Sequence, residues 1–82
     1  MNVNAFYSEN EARIYTLIQS AFEHAVSKHP EFPKDHKAQM CILMEEVGEM
    51  AQAINDGNPR GNLRHEILDV CAVAVRMLLA NG

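Results

Sequence analysis

Apolar residues recur every three to four positions in three stretches of this chain, and only two short segments interrupt them. That period belongs to amphipathic α-helices, whereas half-buried strands alternate with a period of two. The first stretch carries Ile14, Leu17, Ile18, Ala21, Phe22, Ala25 and Val26. It predicts a helix over about 9–28, opened by the capping-box pattern Ser8-x-x-Glu11 and stopped by Pro30 and Pro33. A second helix is expected over about 35–55, with Asp35 as its N-cap. Gly57, in the run Asp56-Gly57-Asn58-Pro59, suits the left-handed position just past its end. Leu43, Val47, Met50 and Ile54 form its expected core stripe, and Glu46 and Glu49 share the neighbouring stripe with Ile42 and Ala53. The third helix is expected over about 62–80.

This third helix is apolar on two sides. Leu63, Ile67, Val70, Ala74 and Met77 make one stripe, and Leu68, Cys71, Val75 and Leu79 another nearly opposite it. A helix apolar on nearly all sides must be covered on nearly all sides, and two helices of the same chain do not easily do so. The expected fold is therefore all-α. It is a three-helix chain of 82 residues forming one domain, 1–82, and assembling with its own copies into a homodimeric or homotetrameric helical bundle. The net charge of -4 argues against a nucleic-acid partner, which calls for a basic stripe. The longest apolar run, Ile67 to Ala80, is interrupted by Asp69 and Arg76 and is too short for a bilayer, so no membrane partner is expected. Cys41 and Cys71 fall inside predicted helices with no secretory signal ahead of them, which points to a reducing, cytoplasmic setting.

Among eleven acidic residues, two pairs have i, i+3 spacing: Glu46-Val47-Gly48-Glu49 and Glu66-Ile67-Leu68-Asp69. Random placement would supply roughly one or two such pairs, so the spacing alone says little. Their setting says more. Both pairs lie well inside helices and flank apolar stripes, and helix two offers no Lys or Arg four residues after Glu46 or Glu49, where Met50 and Ala53 stand. If helices two and three form an antiparallel hairpin through the segment 56–61, the pairs come to face one another. Four carboxylates so placed repel unless they are protonated or hold a cation, and hard divalent cations prefer oxygen ligands. The bland alternative is an exposed charged edge.

The run Leu43-Met44-Glu45-Glu46-Val47-Gly48-Glu49-Met50-Ala51-Gln52-Ala53-Ile54 resembles the first motif of the all-α nucleoside triphosphate pyrophosphohydrolases, the superfamily that includes the MazG-like enzymes. Leu63-Arg64-His65-Glu66-Ile67-Leu68-Asp69-Val70 is similar to its second motif. The resemblance covers helices two and three, and helix one only as a generic leading helix. It implies Mg²⁺, with Mn²⁺ as a possible substitute, held by Glu46, Glu49, Glu66 and Asp69. It further implies hydrolysis of a nucleoside triphosphate to the monophosphate and pyrophosphate, of the kind that serves nucleotide-pool house-cleaning, with Glu45 or Glu46 accepting the proton of the attacking water. Larger members carry a fourth helix with groups that hold the nucleotide. This sequence ends at Gly82 without one, which leaves those contacts to a second subunit, or implies another substrate or weak activity. The alternative reading is a non-catalytic helical oligomer whose acids are structural or merely bind metal.

Lys34, His36 and Lys37, leading into helix two, and Arg76, two turns beyond Asp69, are the candidate nucleotide contacts. Each also has a plainer reading: the first three as a solvated connection, and Arg76 as a snorkelling side chain or an ion-pair partner of a neighbouring subunit. His24, His29, His36 and His65 with the two cysteines lack the spacing of a zinc site, and His65 is expected at the surface or behind a ligand.

Overall fold

The computed structural model describes residues 3–82, with side chains from residue 10 onward. It contains three helices and, among the described residues, no strand: α1 (Val3–Lys28), α2 (His36–Asn55) and α3 (Leu63–Asn81). α2 and α3 begin and end within about a residue of the expected limits. α1 does not. It is already helical at Val3, so Ser8-x-x-Glu11 lies inside the helix and does not open it. A capping box satisfies orphan N–H groups at a helix start, but a preceding helical turn supplies carbonyls that do the same job.

The Asp35 side chain accepts from the Ala38 N–H at 3.0 Å, which caps α2 as the sequence suggested. At the other end the Gly57 N–H donates to the Ile54 carbonyl (3.1 Å) and the Asn58 N–H to the Ala53 carbonyl (2.7 Å), the Schellman pattern with Gly57 at φ 76°. Asn58 (φ 52°) and Gly61 (φ 64°) complete the reversal, and Asn58 Oδ1 accepts from the Leu63 N–H at 2.9 Å, satisfying one of the first free donors of α3.

α3 is the middle rib. It packs against α1 on one flank and α2 on the other, while among the described residues α1 and α2 do not pack on each other. The body is flat, with extents of 46 × 34 × 20 Å, and among the described side chains the buried apolar ones are Ala53, Ala72 and Val73. The α2 face turned to α3 differs from the expected core stripe. Its buried residues are Gln39 and Ala53, with Glu46 half-buried on the same line, whereas Ile54 is 55% exposed. The small side chain of Ala53 permits close approach near the turn, and of the expected stripe Leu43, Val47 and Met50 are half-buried while Ile54 is exposed.

A polar knot closes the end of the α2–α3 pair remote from the turn. Gln39 Nε2 donates to the Pro33 carbonyl (2.8 Å), Asn81 Nδ2 donates to Gln39 Oε1 (2.8 Å), and His36 Nε2 donates to Asn81 Oδ1 (2.6 Å). Gln39, 1% exposed, is thereby satisfied, as a buried amide must be. On the opposite flank of α3, Arg76 is buried. Its guanidinium donates to the carbonyls of His29 (2.7 Å) and Ala25 (3.4 Å), and lies 4.8 Å from the centre of the Phe32 ring. A cation at the C-terminal carbonyls of α1 also answers that helix's dipole.

Replacing Arg76 with Ala should therefore lower stability by about 2–3 kcal/mol, the scale of lost hydrogen bonds to a charged group, as read from urea denaturation. Lys28→Ala, at an exposed position of the same helix end, should change it by no more than about 0.5 kcal/mol.

Candidate metal centre

The turn between α2 and α3 sends the chain back antiparallel, and this sets the two acidic pairs against each other. Glu46 and Glu49 stand two to three turns before the end of α2, and Glu66 and Asp69 one to two turns into α3. One carboxylate oxygen from each of the four lies within 4.8 Å of all the others. Ligand oxygens on opposite sides of a cation are about 4.2 Å apart for Mg²⁺ and about 5 Å for Ca²⁺, so the four oxygens span the size of one hard cation. Glu46, Glu66 and Asp69 are half-buried and Glu49 is exposed, which leaves the cluster open on one side.

The electrostatics are those of a site short of positive charge. The Glu46 carboxyl is pushed above its ordinary range first by burial, then by the charges of Glu49, Asp69, Glu66 and Glu45. Glu66 is raised as well, by burial first, then by the Glu49 charge and a carboxyl–carboxylate hydrogen bond with Glu49, then by Asp69; His65 acts in the opposite direction. Glu66 Oε1 accepts from Asn62 Nδ2 at 3.2 Å. Glu66 Oε2 is cut off from solvent and receives no hydrogen bond from any described donor. A buried carboxylate oxygen without a donor is costly, and a cation coordinated at that atom removes the cost. The residues present therefore fit a divalent metal. His65 Nε2 stands 3.3 Å from Asp69 Oδ2, one turn away on α3, in the orienting position that often stands behind a ligand.

Two clefts adjoin the cluster. One, of about 280 Å³, lies toward the turn and is lined by Glu49 and Glu66 together with Gln52, Asp56, Arg60 and Asn62. The other, of about 220 Å³, lies between α1 and α3 and is lined by Asp69 with Ser20, His24 and His65. Glu45, expected to take part in chemistry, is exposed on α2 beside Glu46.

The expected nucleotide contacts are not brought to this cluster. Lys34 and Lys37 are exposed and His36 is bonded to Asn81, about 15 Å along α2 from Glu46. Arg76 is occupied by the end of α1. Arg60, Gln52 and Asn62, which do line a cleft beside the acids, carry no motif. Only their closeness to the turn, which must lie near both acidic pairs, singles them out. No family model, curated protein or solved structure matches the chain.

Raised acids make a pH prediction with a definite sign. An acid whose folded-state pKa lies above its ordinary value favours folding while protonated, and that stability is lost as pH rises from 4.5 through the folded-state pKa. The metal-free protein should thus lose thermal stability over the pH range just above 4.5. Glu46→Gln should flatten the loss, and Mg²⁺ or Mn²⁺ should reverse it in the parent protein but much less in the variant. Melting temperatures across pH, with chelator and with each metal, measure all three.

Proposed function

We propose that this chain is an Mg²⁺-dependent nucleoside triphosphate pyrophosphohydrolase, converting a nucleoside triphosphate and water to the monophosphate and pyrophosphate. The observation that carries the reading is the convergence of Glu46, Glu49, Glu66 and Asp69 from two helices, with one oxygen of Glu66 buried and lacking a donor. Its second support is the resemblance of the segments 43–54 and 63–70 to the two motifs of the all-α pyrophosphohydrolases.

A triphosphate and four carboxylates repel each other, so neither approaches without a cation between them. When bound, Mg²⁺ supplies charge neutralisation of the phosphoryl oxygens and a more acidic water. The chain's own groups do the rest. Glu46, Glu49, Glu66 and Asp69 hold the cation, and His65 orients Asp69 through its 3.3 Å contact. Glu45, or Glu46 where it is not fully engaged as a ligand, takes the proton of the attacking water. The cleft lined by Gln52, Arg60 and Asn62 offers uncharged donors and a cation for the remainder of the nucleotide.

A second reading has an observation of its own in favour. Arg76 is tied to α1 and Lys34, His36 and Lys37 stand far from the acids, which suits a metal-binding helical protein without catalysis.

Assay of pyrophosphate release from a panel of ribo- and deoxyribonucleoside triphosphates with Mg²⁺ separates the two. The enzyme reading expects turnover that falls by about 100-fold or more in Glu49→Gln and in Asp69→Asn. Turnover equal to the parent's in either variant overturns the assignment. Metal binding unaffected by any triphosphate, with no pyrophosphate released, favours the second reading.

A further inference from the structure

The side chain of Asn62 does not do what an asparagine at the start of a helix ordinarily does. Asparagine is favoured at an N-cap because its side-chain oxygen accepts from a free N–H of the first turn. Asn62 occupies the N-cap of α3, yet its side chain makes no capping bond. The Leu63 N–H is satisfied instead from within the turn, by Asn58 Oδ1 at 2.9 Å. Relieved of that task, the Asn62 amide reaches one turn forward, and its Nδ2 donates to Glu66 Oε1 at 3.2 Å. Asn62 is half-buried in the cleft that also holds Glu49 and Glu66, so the bond is partly shielded from competing water. Helix initiation does not explain this arrangement. The acid at its other end does.

The bond makes the two oxygens of Glu66 unequal. Oε1 is held by Asn62, whereas Oε2 is cut off from solvent and has no donor. The last torsion of a glutamate is otherwise broad, so a free carboxylate turns easily and can present both oxygens at once. With Oε1 tied, Oε2 is the oxygen left for a cation. Asp69 is treated alike, since one of its oxygens lies 3.3 Å from His65 Nε2.

One oxygen or two is a distinction that separates cations. The cluster's span of 4.8 Å admits either Mg²⁺ or Ca²⁺, so size leaves the choice open. Mg²⁺ demands a near-octahedral shell at about 2.0–2.1 Å, and the two oxygens of one carboxylate lie too close together to fill neighbouring corners of it. Ca²⁺ takes more ligands, at about 2.3–2.6 Å, and readily uses both oxygens of one carboxylate. Holding Glu66 to a single oxygen therefore favours the small octahedral cation and withholds a ligand from the large one. We propose that Asn62 is a positioning residue that ties back Glu66 Oε1 and thereby sets the preference of the centre for Mg²⁺ or Mn²⁺ over Ca²⁺. The proposal rests on the reading of the four carboxylates as a metal centre, and on no part of the nucleotide chemistry.

Competition between Mn²⁺ and Ca²⁺ tests it without any substrate. Binding of Mn²⁺ to the full chain removes the free-ion electron paramagnetic resonance signal, and Ca²⁺ titrated into the same sample gives the ratio of the two affinities. The parent should prefer Mn²⁺. Asn62→Ser keeps a residue suited to an N-cap but one too short to reach Glu66. It should weaken Mn²⁺ by about 10-fold or more, the usual cost of losing a group that orients a ligand. Ca²⁺ should weaken less, moving the ratio toward Ca²⁺ by about 5-fold or more. General loosening of the helix end would weaken both ions together and leave the ratio alone. Should Asn62→Ser fail to fold, the parent still decides: with Mg²⁺ bound, the Asn62 side-chain amide should exchange with solvent more slowly than that of the exposed Asn55. A parent that prefers Ca²⁺, an unchanged ratio in Asn62→Ser, or an Asn62 amide exchanging as fast as that of Asn55 overturns the proposal and leaves the metal centre standing. A parent that takes up neither cation overturns both.

Discussion

The register of α2 against α3 is the constraint on which the carboxylate cluster depends. It is pinned at both ends. At the turn, Gly57 and Asn58 close the Schellman pattern and the Asn58 side chain reaches forward to the first N–H of α3. At the far end, the buried Gln39 amide and the exposed His36 of α2 both hydrogen-bond Asn81 of α3. Between these clamps lie the four carboxylates, which repel one another and push the pair apart. Without the clamps, a small rotation or slide would relieve that repulsion and scatter the cluster. Polar hydrogen bonds suit this task because they tolerate far less displacement than apolar contacts do.

The middle position of α3 has a second consequence. With α1 on one flank and α2 on the other, two of its sides are covered, while Ile67 and Leu78 stay exposed. Among the described side chains three small apolar residues are buried, which is little for a chain this size. Arg76 partly compensates by tying the end of α1 to α3 through two carbonyls and an aromatic ring. An arginine far along an apolar helix looks in sequence like a free cation near the acids. It is instead part of the scaffold, because the carbonyls of Ala25 and His29 end their helix just where its fork can reach them.

The carboxylate cluster was the most legible part of the site. Spacing of three on helices puts each pair on one face, and a short turn makes those faces meet. The surrounding groups were not legible in the same way. Lys34, His36 and Lys37 looked like anion contacts because they precede a helix N-terminus, yet that terminus lies at the opposite end of α2 from the turn. Arg60 and Asn62 escape a motif search because turn residues line a cleft through backbone direction, which three positive φ angles set here and no local pattern encodes.

The chain's sequence by itself determined the three helices, their limits at Asp35 and Gly57, and the pairing of acid with acid, because helical period, capping and chain reversal are local properties. Tertiary structure decided which stripe of α2 faces α3. Apolarity favoured Leu43, Val47, Met50 and Ile54, but the helices close on Gln39, Glu46 and Ala53. The reason is geometric: the small side chain of Ala53 lets the helices approach near the turn, and the turn and the Gln39–Asn81 bond hold the rotation between them. That rotation places the carboxylates between the helices, and leaves Leu43, Val47 and Met50 half-buried and Ile54 exposed.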